Sequence, residues 1–315
     1  MKAITRSKYG GPDILQIEEV EKPVIKAGHI LVKVSANSVN PADWHTLRGT
    51  PFFIRFSLGL FKPKDNVLGA DFSGIVEDVG DGVTNFKPGD SVFGENLKAG
   101  AFAAYTLVPA EACAKVPDGV DLKSIACVPV AALTALQGLI THGKLEENET
   151  VLINGSSGGV GHFTVQIAKA YGAEVTAVCS AKNMDFVKGI GADEVLAYDE
   201  VNIHKHQGKY DLVVDTHGNL THSDYKRMGS RGVMVGFTSM GSMMKLLLKR
   251  ALSKYPLAQF VAEANTADLD TLADLISTGK MKVHIDRTYP YQKIPEAIDY
   301  IEAMRTRGKV AILWE

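Results

Sequence analysis

Residues 151–169, VLINGSSGGVGHFTVQIAK, run from an apolar strand through a glycine-rich turn into an amphipathic helix, and no other stretch limits the possible folds so tightly. Val151 to Ile153 supply the strand, and Gly155, Gly158 and Gly161 stand three apart. With that spacing the chain can turn sharply, let a pyrophosphate approach the backbone, and pack helix on strand. The helix N-terminus then directs N–H groups at the phosphates. Three such glycines also make ordinary tight turns, so the context decides. Val160, Phe163, Val165, Ile167 and Ala168 continue an apolar helix face, and a second strand, Glu174 to Val178, follows. The pattern predicts a dinucleotide site whose turn is formed by Gly155, Ser156, Ser157, Gly158, Gly159, Val160 and Gly161.

The end of the second strand bears on which dinucleotide is bound. An NAD site usually carries Asp or Glu about 20 residues past the first glycine, where the carboxylate takes the ribose hydroxyls. Here EVTAV runs into Cys179, Ser180, Ala181 and Lys182, with no acid. Ser180 and Lys182 offer a hydroxyl and a cation, which suit a 2′-phosphate better, so NADPH is the expected cofactor. The plain alternative makes Lys182 a solvated first-turn residue.

At 315 residues the chain exceeds what one core usually organises, which predicts two domains. A net charge of -2 supplies no basic field for nucleic acid and no charge run for a membrane surface, so neither is an expected partner. Cys113, Cys127 and Cys179 are scattered without a Cys-x-x-Cys pair, which fits a reducing, cytoplasmic setting. MKAITRSKYG reads as a first strand and turn with no apolar signal core, so the mature chain is expected to start there. The apolar run Ile125 to Ile140 contains Pro129, Thr134 and Gln137 and falls short of the ~20 residues of a spanning helix, which predicts a buried helix start.

The first third is β-rich. Ile14 to Glu18, Ile30 to Ser38, Ser73 to Val79 and Phe102 to Val108 are strand-like and separated by Gly-Gly-Pro, Lys-Pro-Gly-Asp and Pro-Asp-Gly turns, which suggests a compact barrel. From about residue 120 strands and helices alternate, predicting a doubly wound parallel sheet and an α/β class overall. The last fifty residues carry two helices, Ala267 to Ser277 and Ile294 to Arg305, and a final strand, Val310 to Trp314, that can complete the first domain.

Four stretches, SVNPADW, VLGADFSGIVEDVGDGV, GAFAAYTLVP and NGSSGGVG through VQIAK, carry a resemblance that spans nearly the whole chain. It is to the zinc-independent quinone oxidoreductases of the medium-chain dehydrogenase/reductase superfamily, near the ζ-crystallin and plant enone reductase branches. The resemblance implies a GroES-like β-rich catalytic domain from residues 1–119 and 263–315 and a Rossmann NADPH-binding domain over residues 120–262. Relatives that hold a catalytic zinc use a Cys, a Gly-His-Glu and a second Cys; this chain has Asn40, Gly69-Ala70-Asp71 and Val130 there. Three dispersed cysteines cannot form a four-cysteine structural zinc lobe. His204 and His206 flank Lys205 in a polar loop with no further ligand nearby, so no metal is expected.

Alcohol oxidation needs a Lewis acid to lower the pKa of the bound oxygen. Hydride addition to a conjugated carbonyl or quinone needs only donors for the developing oxyanion. The sequence therefore favours NADPH-dependent reduction of a small hydrophobic quinone, enone or alkenal. An alcohol dehydrogenase with changed ligands and a non-catalytic NADPH-binding protein remain as alternatives. By resemblance, Asn40 holds the cofactor or the acceptor with its amide, or else stabilises the turn before Pro41. His45 stands where relatives have Tyr, Lys or His and donates to the oxyanion, or simply packs. Thr134 lies near the nicotinamide or bonds its own backbone. Tyr198 closes over the 2′-phosphate or is an edge aromatic; Gly236 and Phe237 meet the nicotinamide side; Asp71 is structural. Residues 240–260 read as a core-facing helix, with a substrate channel or a subunit contact as alternatives. Relatives often pair through their Rossmann sheets, so a homodimer is a further expectation.

Overall fold

The computed structural model describes residues 1–97, 100–236 and 240–314, and their contacts divide into two units. The first comprises Met1–Ala131, Ala264–Ser277 and Val283–Glu315; the second comprises Ala132–Glu263 and Thr278–Lys282. The first unit opens with an antiparallel ribbon of β1 (Lys2–Thr5) and β2 (Gln16–Glu19). The latter starts later than the pattern at Ile14 predicts, because Pro12 begins a short 3-10 turn over Pro12–Ile14. Five more strands follow: β3 (His29–Val39), β4 (Asp71–Val79), β5 (Ser91–Glu95), β6 (Tyr105–Pro109) and β7 (Cys113–Lys115). The eleven-residue β3 is the spine, paired antiparallel with both β4 and β6. Its alternate side chains Ile30, Val32 and Val34 enter a core with Phe72, Val76, Val92 and Val108.

The second unit carries β8 (Thr150–Asn154), β9 (Glu174–Cys179), β10 (Glu194–Ala197), β11 (Tyr210–Asp215), β12 (Gly229–Met234) and β13 (Leu257–Gln259). They form one sheet in the order β10-β9-β8-β11-β12-β13, and every pairing is parallel. The strands grow outward from β8 in one direction and from β11 in the other. The connections therefore part at the carboxyl ends of β8 and β11, the switch point where such sheets bind nucleotides. The apolar run from Ile125 is buried as expected, with a helix over Pro129–Leu136 that widens into a π turn over Gln137–His142. The core-facing reading of residues 240–260 holds for Leu246 and Leu257, which lie in a buried cluster of the second unit, but not for the exposed side of the helix. Met240–Ala251 is helical, but Leu246 is buried while Met244, Leu248 and Leu252 are exposed beside Lys245, Lys249 and Arg250.

The chain then returns to its first unit with β14 (Ile285–Pro290) and β15 (Lys309–Leu313), the latter antiparallel to β3. The helix Ile294–Glu302 buries Ile294, Ala297 and Ile298 against Ile4, Val39, Leu47, Phe102, Val310 and Ile312, so both chain ends share one core. Local packing sets where the contacts divide, at 131/132 and 263/264, with 278–282 assigned to the second unit. Helix Leu122–Ile125 belongs with the first unit: Ile125 is fully buried and Ser73 Oγ donates to the Leu122 carbonyl at 2.6 Å. Residues 278–282 join the second unit through Gln166, whose amide donates to the Lys282 carbonyl (3.0 Å) and accepts its N–H (2.8 Å). No helix among the described residues is long and apolar enough to cross a membrane.

Candidate functional site

The glycine turn lies at the switch point of the parallel sheet. Gly155 has φ of 84°, and a Cβ there would stand 2.7 Å from Thr216 Oγ1. At Gly161 a Cβ would stand 2.1 Å from the Gly155 carbonyl oxygen, so only glycine lets the helix Gly159–Ala170 close on the turn. Gly158 is different: a Cβ there meets Gly155 O at an ordinary 3.5 Å, with nothing else within 4 Å. The space beside Gly158 is open.

The turn's donors divide in a way the sequence did not reveal. The N–H groups of Gly155 and Ser156 both donate to the Val178 carbonyl, at 3.1 and 3.0 Å, and Ser156 Oγ donates to the same oxygen at 2.9 Å. Ser156 is fully buried, so both residues shape the turn instead of offering donors. The first helical turn remains: Gly159, Val160 and Gly161 have no intrahelical acceptor for their amides. Asp215, absent from the sequence reading, braces the neighbouring strand end. Its carboxylate accepts the N–H groups of His217, Gly218 and Leu220 and an amide proton of Asn154, while burial raises its pKa. That clamp positions Thr216, whose carbonyl oxygen would lie 2.9 Å from a Cβ on Gly236. Phe237 lies outside the described residues.

Parallel pairing brings the expected phosphate-recognition residues to one edge. Cys179 and Ala197 are register partners, and Tyr198 N–H donates to the Cys179 carbonyl at 2.9 Å, so Ser180 and Tyr198 leave the sheet together. Ser180 is buried, whereas Lys182 and Tyr198 are exposed. Asn183 Nδ2 donates to Ser157 Oγ at 3.1 Å and links this loop to the glycine turn. The sequence reading missed Asp199, whose carboxylate accepts the Ala181 N–H at 2.8 Å. It puts a negative charge where the absence of acid after β9 pointed to a phosphate. The only signal was the acid directly after Tyr198 in the next strand's tail.

In the first unit Asn40, Asp71 and Val130 meet in a buried polar knot. Asp71 Oδ2 accepts from Ser38 Oγ and from Asn40 Nδ2 (2.8 Å), and Oδ1 accepts the Val130 N–H (2.8 Å). Lys309, from β15 at the far end of the sequence, donates to Asn40 Oδ1 and stands 3.4 Å from Asp71 Oδ2. Asn40 is 1% exposed, with its amide engaged at both ends by charged neighbours, and its own N–H donates to Asp43 at 2.7 Å. In this arrangement Asn40 ties β3 to β4 and β15. Asp43 and Glu95 complete the acidic surroundings. Burial, and after it the charge of Asp71, pushes Asp43 up to about 7 against the opposing backbone N–H groups and Lys309. Burial first, then Asp71 and Asp43, push Glu95 up to about 8.

His45, on the helix Pro41–Arg48, is half-buried, stacked on Trp44 with ring centroids 3.6 Å apart. Its Nδ1 lies 2.8 Å from the Thr50 carbonyl oxygen, and burial lowers its pKa. A carbonyl only accepts, so Nδ1 carries the proton. Nε2 then carries one only in the imidazolium form, which qualifies the expected donor role. Thr134 and Val130 are the half-buried positions of the helix Pro129–Leu136.

Residues 26–118 match the family described as alcohol dehydrogenase GroES-like domain, and residues 190–312 match that described as zinc-binding dehydrogenase. The chloroplast envelope quinone oxidoreductase homolog of Arabidopsis thaliana is 33% identical over 314 residues, covering 94% of this chain and 93% of that protein. The chloroplastic NADPH-dependent alkenal/one oxidoreductase of the same plant is 31% identical, covering 99% of this chain and 79% of that protein. The solved structure of the quinone oxidoreductase from Coxiella burnetii superposes with a TM-score of 0.90 at 27% identity, covering 100% of this chain and 99% of that one. With this fold, this glycine turn and relatives matched from end to end, the chain belongs to the quinone oxidoreductase branch of the medium-chain dehydrogenase/reductase superfamily.

Proposed function

We propose that this protein is an NADPH-dependent, zinc-independent reductase of quinones or α,β-unsaturated carbonyls. The observation that carries the reading is the turn whose Gly161 admits no Cβ and whose helix start leaves amides open, as a pyrophosphate requires. Relatives named for quinone and alkenal reduction supply the acceptor class. Gly159, Val160 and Gly161 hold the pyrophosphate, and Ser180, Lys182 and Tyr198 receive the 2′-phosphate. When bound, the nicotinamide supplies the hydride.

The residues at the zinc-ligand positions of related dehydrogenases do not fit that metal. Asn40, Ala70 and Val130 offer no thiolate or imidazole, and the Lys309 ammonium beside Asn40 and Asp71 repels a second cation. No group of three or more His, Cys, Asp or Glu among the described residues is placed to hold a metal ion. Zinc chemistry therefore has no part in the proposal, and the protein's share lies in orienting the acceptor and stabilising charge on its oxygen. His45 is our candidate for that donor, acting through Nε2 when the ring is charged.

The three cysteines are buried free thiols, and their scatter is the ground on which a reducing, cytoplasmic setting is proposed. A homodimer joined through the edge of the parallel sheet is the proposed assembly. Loss of the reduced-nicotinamide absorbance, followed against quinones, enones and alkenals beside ketones and alcohols, tests the function. Turnover of conjugated acceptors with NADPH, undiminished by chelators, is expected. Activity confined to alcohols and restored by zinc would replace the proposal with the dehydrogenase reading.

A further inference from the structure

Arg6, the residue that follows β1, is buried in the first unit with only 3% of its surface exposed. Its backbone N–H donates to the Asn66 carbonyl at 2.8 Å, which fixes the chain at this point. Among the described residues its side chain makes one hydrogen bond, from Nη1 to the Thr46 carbonyl, and no ion pair. Nε is buried without an acceptor, and the Tyr9 ring centre lies 5.3 Å from the guanidinium carbon. Burial lowers the pKa of the group, with Tyr9 and Asp65 acting the other way. A buried cation is costly unless a carboxylate pairs with it. No carboxylate of the described residues takes that place.

Nε and Nη2, the donors that Arg6 leaves unused, form the edge by which other arginines of this chain are held. Arg48 grips Glu302 through those two nitrogens, at 2.7 Å each. Arg55 gives them to the Gly49 and Arg48 carbonyls at 2.9 and 3.1 Å, and Arg227 gives them to the His206 carbonyl at 2.9 Å and to Asp224 at 2.8 Å. Arg6 instead lines a cavity within the first unit, together with Ala42, Asp43 and Thr46 of the helix Pro41–Arg48 and with Asp65 and Gly69, and apolar side chains complete the wall. Two of those residues are acids. Asp65 is exposed, so water screens it, and Asp43 is pushed up to about 7, first by burial, so near neutrality it carries less charge than a surface acid. The guanidinium stays charged throughout. Two free donors in one plane select a planar acceptor with two oxygens.

We infer that this cavity is a carboxylate-binding site, in which Arg6 Nε and Nη2 hold the two oxygens of a small carboxylate or of a carboxylate tail on the acceptor. The test is thermal unfolding of the full chain in acetate and in chloride at equal ionic strength. Acetate should raise the melting temperature more than chloride does, and Arg6→Met should weaken acetate roughly tenfold or more. Met replaces a buried cation with an apolar side chain of similar length, and circular dichroism checks that the fold is kept. Asp65→Asn, at an exposed position, removes a nearby negative charge and should tighten acetate by about twofold to threefold. Equal shifts from the two salts, meaning an adventitious ion only, or an acetate effect that survives Arg6→Met would overturn the inference, as would acetate binding that Asp65→Asn loosens. Kinetics with an enone that bears a carboxylate, run beside its methyl ester, distinguish the two sources. A KM that rises about tenfold in Arg6→Met for the acid alone places the carboxylate on the acceptor. Acetate binding without that split assigns the cavity to a free carboxylate. The acetate measurement needs no turnover, so failure of the proposed reductase activity leaves its result standing.

Discussion

The glycine turn of the second unit and the polar knot of the first make opposite uses of the chain. The turn is made by backbone: seven consecutive residues, Gly155 to Gly161, set its shape, and side chains matter chiefly by being absent. The knot is made by side chains from Ser38, Asn40, Asp71 and Lys309, drawn from three strands and from positions up to 271 residues apart, with the Val130 amide added. A ligand site written in contiguous backbone tolerates change in everything but the atoms that touch. A knot of buried charges depends on every member, because removing one leaves another unpaired.

The largest test of that contrast is Lys309→Met. It leaves the Asp71 carboxylate buried without its ammonium and should cost about 3–5 kcal/mol in urea unfolding. Adding Asp71→Asn to the same chain should recover much of the loss; a single substitution that costs under ~1 kcal/mol would show that the knot is not held by charge.

His45 probes how the first unit contributes to turnover. Its pKa lies below the usual 6.5, so the charged form that can donate from Nε2 is present below that lowered pKa and is lost as pH rises through it. His45→Ala should therefore reduce kcat on an enone by ~10- to 1000-fold on the acid side. The two enzymes should converge on the alkaline side. A gap that stays constant across the pH range would assign His45 a role other than donation.

In the turn, Gly161→Ala drives a methyl group to within 2.1 Å of a backbone oxygen and should weaken NADPH and NADH alike by roughly ten- to a hundredfold. Gly158→Ala, with its Cβ at 3.5 Å, should leave the fold untouched and act only on the ligand. A lowered melting temperature for Gly161→Ala beside an unchanged one for Gly158→Ala would separate these effects. If Gly161→Ala binds as the wild type does, the helix does not need to close on the turn.

The acids around the knot predict a pH dependence of stability. Glu95 rises from 4.5 to about 8 and Asp43 from 3.8 to about 7 in the folded protein. For acids raised in this way the fold binds protons that the unfolded chain gives up. Their contribution is complete below the unfolded values and is lost as pH climbs to about 7 and 8. The melting temperature should fall across that window, and Glu95→Gln should flatten the fall.

The smallest effects lie at the edge of the parallel sheet. Lys182→Ala should weaken NADPH by about fivefold to tenfold with little effect on NADH, and Asp199→Asn should strengthen NADPH by up to about fivefold, since both charges are screened by solvent. Direct titration of both nucleotides reads the two signs. If neither variant changes the ratio of affinities, the phosphate is recognised elsewhere.

The parallel sheet and the turn were legible in the sequence because each rests on local pattern: apolar runs such as VLIN and EVTAV, glycines at fixed spacing, and a helix start directly after them. The hydrogen bonding of Ser156 was not legible, for a physical reason. Sequence gives the proximity of its N–H to the turn but not that the Val178 carbonyl takes it. Lys309 carried no signal, since one lysine before a final strand looks solvated until β15 pairs with β3. Likewise, the 240–260 segment has the composition of a core helix, and only packing decided that Met244, Leu248 and Leu252 face out.

Sequence by itself determined the class of this protein: two units and a glycine turn fit for a dinucleotide, with the Asn40, Ala70 and Val130 positions read only through the resemblance to zinc-holding relatives. These follow from residue identity and short-range periodicity, which act over a few residues. The tertiary structure decided which donors remain open, that Asn40 meets a buried lysine, and that Asp199 reaches the loop after β9. Each of those depends on strands far apart in sequence pairing in one register, and on the burial that then fixes which polar atoms find partners.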